Sequence, residues 1–109
     1  MKILKTFIAG GSLILSSWGM AAGQTPIGQI TAITIYKTHT GILVNQATQI
    51  DPDLCGRQDY FILPDTHSHF KEAYSLLLAT HMAGRKVSLV ISGCHEGIPA
   101  ISHIITSNI

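Results

Sequence analysis

The 109-residue chain carries six histidines, 12% charged residues and a formal net charge of +1. That balance excludes the basic footprint of a nucleic-acid binder. The length allows one domain with a small core, and no internal repeat or low-complexity run interrupts the chain.

The first residues set the compartment. Lys2 and Lys5 precede an uncharged apolar stretch, FIAGGSLILSSWGM, from Phe7 to Met20, and Ala21, Ala22 and Gly23 supply small residues for cleavage. This is the pattern of a secretory signal peptide, too short and wrongly flanked for a stable transmembrane anchor. The first cysteine is Cys55, so no lipid anchor follows it. The expected division is residues 1–23 as signal peptide and 24–109 as a single secreted or periplasmic domain. Five cations (Lys37, Arg57, Lys71, Arg85, Lys86) then stand against six anions (Asp51, Asp53, Asp59, Asp65, Glu72, Glu96), a net charge near −1. No later apolar stretch is long enough to span a bilayer.

In an exported chain the two cysteines, Cys55 and Cys94, favour a bridge, and only one pairing exists. Closing a loop of about 40 residues is worth roughly 4 kcal/mol on the chain-entropy account. The segment VSLVISGCHEGIPAIS, from Val87 to Ser102, therefore reads as a stapled turn more than as a reactive thiol.

In chain order, ITAITIY (residues 30 to 36) is rich in β-branched residues and predicts a strand, and GILVNQAT predicts a second one after the turn signal His39-Thr40-Gly41. QIDPDLCGRQ (49 to 58) is a loop by composition, and DYFIL (59 to 63) is a short strand ended by Pro64. A helix follows, with Asp65, Thr66 or Ser68 as caps. Phe70, Ala73, Tyr74, Leu77 and His81 share its inner face, and Gly84 ends it. Leu76 and Met82 widen the apolar surface beyond one stripe, which predicts contact with the sheet and with another subunit. KVSLVIS predicts a fourth strand, EGIP a turn, and AISHIITS (100 to 107) a fifth strand. Three strands, a helix and two strands is the order of a small OB-fold-like five-stranded barrel, mainly β with one helix; an open α+β sheet is the alternative.

The histidines invite a metal reading. His67 and His69 form an HxH pair, His95 adjoins Cys94, and His103 lies across the turn, but the spacings match no zinc motif and a bridged cysteine supplies no thiolate. Cys94 and His95 point to opposite faces of a strand, so they make no catalytic dyad. No nucleophile elbow or phosphate loop accompanies Glu96. The chain is expected to be no enzyme and to hold no cofactor or metal. Tyr36 and Tyr60, on strands, suit a shallow ligand surface, and Thr31, Thr34, Asn45 and Gln46 offer the hydroxyl and amide partners a sugar needs.

ITIYKTHTG, HFKEAYSLLLATHMAGRKVSLVI and GIPAISHIITSN together resemble the B subunits of subtilase-cytotoxin-like and pertussis-like AB5 toxins. The resemblance implies an OB-fold, export, a homopentamer with helices lining a channel, recognition of host-cell glycans and a separate enzymatic A subunit. It places the sugar-binding hydroxyl near Thr31, on the strand that also carries Thr34 and leads to Tyr36. Where the toxin subunits flank the sugar with an aromatic residue this chain has Ile91, and Cys94 stands where they lack a cysteine. The expected function is glycan binding through Thr31, Thr34 and Tyr36 as part of a homo-oligomer; the alternative is a secreted or periplasmic protein-interaction module with no sugar site.

Overall fold

A computed structural model describes residues 23–106. The expected signal peptide falls on residues outside this span, apart from Gly23. The elements are β1 (Gly28–Thr34), β2 (Gly41–Gln46), β3 (Phe61–Pro64), α1 (Phe70–Ala83), β4 (Lys86–His95) and β5 (Ile98–Thr106). This is a mainly β domain with one helix and a five-stranded sheet.

The strands take the order β1-β2-β3-β5-β4, with β4 returning to β1. The ladders are unequal. β1–β2, β2–β3 and β4–β5 are antiparallel and pair along most of their length. Two short seams complete the ring: Gly28↔Val87 and Gln29↔Lys86 between β1 and β4, and the single parallel pair Ile62↔Ala100 between β3 and β5. The expected OB-fold-like barrel is corrected in how it closes. The chain builds a curved five-stranded sheet whose ends meet over two residue pairs, not a barrel laddered evenly all round. β3 is four residues long and stops at Pro64, which has no N–H to donate. β1 carries an irregularity between Ile30 and Ala32 and leaves β4 beyond Gln29. A bulge of this kind bends a strand and ends its pairing.

Side chains fill these seams. The buried Gln46 amide donates to the carbonyls of Val87 (2.8 Å) and Gly28 (3.3 Å), one on each side of the β1–β4 seam. Gln29 Nε2 donates to the Gly84 carbonyl at 2.7 Å, and His81 Nδ1–H to the Ile30 carbonyl at 2.8 Å, so the end of α1 closes over β1. Thr25, ahead of β1, exchanges backbone and hydroxyl bonds with Ser88 and Leu89.

Helix α1 starts one turn later than its capping residues suggest. His69 is the N-cap and makes no side-chain cap bond, whereas Asp65, Thr66 and Ser68 lie in the preceding turns. Gly84, at φ 68°, ends the helix, and the N–H groups of Gly84 and Arg85 bond back to His81 and Thr80. Ala73, Leu77 and Thr80 face the sheet, and the Thr80 hydroxyl is satisfied by the Leu76 and Leu77 carbonyls. Leu76, Leu78 and Met82 stay exposed on the outer side. Among the described residues no helix is long and apolar enough to cross a membrane.

Two cores form. The larger gathers Val44, Phe61, Leu63, Leu77, Val87, Leu89 and Ile101 under the helix. A smaller cluster on the opposite side joins Leu43, Ile62, Ile98 and Ala100, with Tyr60 packed against it. Successive residues of a strand face opposite ways. ILV and FIL are therefore continuous apolar runs because this part of the sheet is buried on both faces.

Candidate functional site

The smaller cluster carries a polar ledge. β4 and β5 join through Glu96 and Gly97, both left-handed (φ 55° and 75°), between the pairs His95↔Ile98 and Cys94↔Pro99. A two-residue hairpin of this hand ordinarily takes Asn-Gly or Asp-Gly. A longer side chain in that region costs about 1–2 kcal/mol, and such strain is found at functional positions.

The Glu96 side chain lies against the β1–β2 turn. Its Oε1 accepts from His39 Nδ1–H at 2.9 Å, and its Oε2 from the Thr40 hydroxyl at 3.0 Å. The Thr40 backbone N–H lies 3.3 Å from both oxygens. Since Thr40 donates its hydroxyl proton to Glu96, its oxygen accepts from His95 Nε2–H at 2.7 Å. Two chain turns are thus clasped through one carboxylate. The His39 bond above all holds the Glu96 carboxyl below its ordinary range; desolvation, the next largest influence, opposes it, and the Thr40 bonds add to the lowering.

A carboxylate whose folded pKa is depressed adds stability above its unfolded pKa, near 4.5 here, and that contribution fades as pH falls through the folded value. Acidification from about pH 6 to about pH 3 is therefore expected to release the Thr40 amide from Glu96. Amide chemical shifts across that range test this, and a Thr40 resonance that stays unmoved would refute the clasp.

Beside the clasp stand the aromatic residues. The Tyr36 and His39 rings lie 5.8 Å apart, and Tyr36 is exposed. The Arg57 guanidinium sits 5.2 Å from the Tyr60 ring centre and donates two bonds, of 2.7 and 2.8 Å, to Asp59. Arg57 holds the Asp59 carboxyl below its ordinary range, and Asp59 in turn raises Arg57. Hydrogen bonding with Tyr36 is the main cause of a raised Tyr60 pKa. Tyr36 with His39 and Glu96, and Tyr60 with Arg57 and Asp59, make two polar-aromatic groups, and the influence of Tyr36 on the Tyr60 hydroxyl sets them beside each other as one ledge.

The 47–60 loop that supplies Arg57 and Tyr60 is fixed at several points. The expected Cys55–Cys94 disulfide is present, with Cα atoms 5.8 Å apart. The Asp51 carboxylate accepts the N–H groups of Cys55 and Gly56, and Asp53 accepts that of Gly93 at 2.7 Å. Asn45 Nδ2 donates to the Asp59 carbonyl.

Of the sequence-predicted ligand residues, Tyr36 joins this ledge. Thr31 is exposed on β1, and Thr34 is half-buried opposite Leu43; neither side chain bonds to the ledge. Gln46 is turned inward to the β1–β4 seam, and Asn45 is engaged with the loop, so both amides serve the fold. His39, Thr40, His95 and Glu96 were not grouped by sequence, since 55 or more residues separate the two turns. The left-handed demand of the Glu96-Gly97 turn was the available signal.

His67, half of the HxH pair, is half-buried and engaged with the fold. Its Nε2–H donates to the Ser102 carbonyl at 2.8 Å, and its Nδ1 accepts the His69 N–H. Among the described residues no set of three His, Cys, Asp or Glu side chains has metal-binding geometry.

No family model, curated protein or solved structure matches this chain. These comparisons give the toxin-B-subunit resemblance no support. Its supporting segments, such as KVSLVI and IITSN, are runs that β-branched strands of unrelated domains share.

Proposed function

We propose that this chain is an exported, non-catalytic binding protein whose ledge recognises a hydroxyl-rich small molecule of the saccharide class. The observation that carries the reading is the convergence of Tyr36 and Tyr60 with the Arg57–Asp59 pair and the His39–Glu96–Thr40 clasp. Sugars present apolar C–H faces and hydroxyl groups. Tyrosine rings suit the former, and carboxylate, guanidinium and imidazole groups the latter. The preorganised turns support binding because their ordering cost is met on folding. Thr31 and Thr34, on the strand leading to Tyr36, are the hydroxyls an extended oligosaccharide would meet.

The test is a saccharide array followed by calorimetry on residues 24–109. Tyr36→Ala and Glu96→Gln are each expected to weaken binding about tenfold or more, the loss of one strong contact. Their circular dichroism should stay unchanged. Absence of saccharide binding, or equal affinity in both variants, would remove the reading. The exposed Leu76, Leu78 and Met82 favour a second one, a protein-interaction module acting through the helix.

A further inference from the structure

Among the described residues Leu54 is the most exposed of the large apolar side chains, at 86%. It is also one of two non-glycine residues there with positive φ, at 53°. A bulky side chain in that backbone region is a true outlier and persists only where its surroundings over-determine it. Here they do. The Asp51-Pro52-Asp53-Leu54 turn is closed by Leu54 N–H on the Asp51 carbonyl, the Asp51 carboxylate takes the next two amides, and the disulfide follows at once. The loop spends stapling and strain on displaying one leucine to solvent.

The same chain carries a matching hollow. Between the start of α1 and the middle of β5 lies a cavity of about 270 Å³, walled by Ala73, Leu76 and Ile104 and rimmed by His69, His103 and Glu72. A cavity of roughly 150 Å³ already admits a six-carbon ring, so this one accepts a leucine side chain. Asp51 and Asp53 flank Leu54 with carboxylates that keep free acceptor capacity, and the rim imidazoles carry N–H donors to meet them. Glu72 is the single anion of that rim. Val90↔His103 lies four residues along β4 from Cys94, so the hollow stands about 13 Å up the hairpin from the stapled loop.

We propose that Leu54 of one copy seats in the α1–β5 cavity of a second copy, a head-to-tail contact between unlike surfaces. Such a contact leaves a free knob and a free hollow at its two ends and propagates into a ring or a chain. The proposal does not depend on the saccharide reading.

Sedimentation velocity on residues 24–109 tests it with two variants chosen to fold. Leu54→Asn removes the knob and suits the left-handed backbone better than leucine. Leu76→Glu charges the hollow from an exposed helix position. Wild-type protein is expected to form species larger than dimers as concentration rises, and each variant alone to stay monomeric. An equimolar mixture of the two is expected to stop at a dimer, because only one intact knob and one intact hollow remain. The proposal is overturned by a wild-type protein that stays monomeric, by Leu54→Asn assembling as wild type does, or by a mixture that stays monomeric.

Discussion

Replacing Cys55 and Cys94 together by alanine is expected to lower the melting temperature by about 15–30 °C, with the same strands in the refolded product. The bridge joins residues 39 apart, and on the chain-entropy account releasing such a loop returns roughly 4 kcal/mol to the unfolded ensemble. In a domain of this length each kcal/mol moves the midpoint by roughly 4–8 °C. Neither sulfur belongs to the buried clusters, Cys55 being half-buried and Cys94 exposed, so the loss falls on chain entropy and leaves the packing intact. With the covalent tie gone, the loop tip keeps the Asp53 bond to the Gly93 amide, while Asn45 and Gln49 hold only its base. Thermal unfolding followed by circular dichroism, with and without a reducing agent, checks the value. A fall under about 5 °C would mean that the Asp51 and Asp53 bonds already restrict the loop in the reduced chain.

The strands and the helix were legible because their periodicity is local. KVSLVIS and the Phe70–Leu77 face announce themselves within a few residues, and Gly84 ends the helix as a glycine past the last turn should. The disulfide was legible by elimination. Less visible was how evenly the sheet would close, because that depends on a bulge after Ile30 and on a β3 shortened by Pro64. No local pattern encodes the reach between distant strands.

The ledge was half visible. Tyr36 and Tyr60 stand out by residue type, but the clasp unites Thr40 and Glu96 across 56 residues, and only folding sets them together. Gln46 misled for a related reason. An amide near a strand end reads as a surface group, whereas here it bonds to carbonyls on both sides of the closing seam. Leu54 gave no sequence signal, since a leucine in a loop ordinarily turns inward.

Truncating Phe61 to alanine is expected to cost about 3–5 kcal/mol, a large part of the stability of a domain this small. Phe61 is the largest of the fully buried side chains among the described residues, and it opens β3 opposite Val44. It packs in the cluster that includes Leu77 of the helix and Val87 and Leu89 of β4, so its removal leaves a void where helix and sheet meet. Such a void loses both transfer energy and the contacts of its lining, because rigid neighbours refill it only in part. Phe61 also follows Tyr60 directly, and successive strand residues face opposite ways, so one residue braces the main core while the next supports the ledge. Chemical denaturation should therefore show a lower midpoint for Phe61→Ala. Phe61→Leu, which keeps most of the volume, should recover much of the loss. A cost below about 1 kcal/mol would show that the helix settles onto the shortened side chain, and that the helix–sheet junction is softer than its close packing indicates.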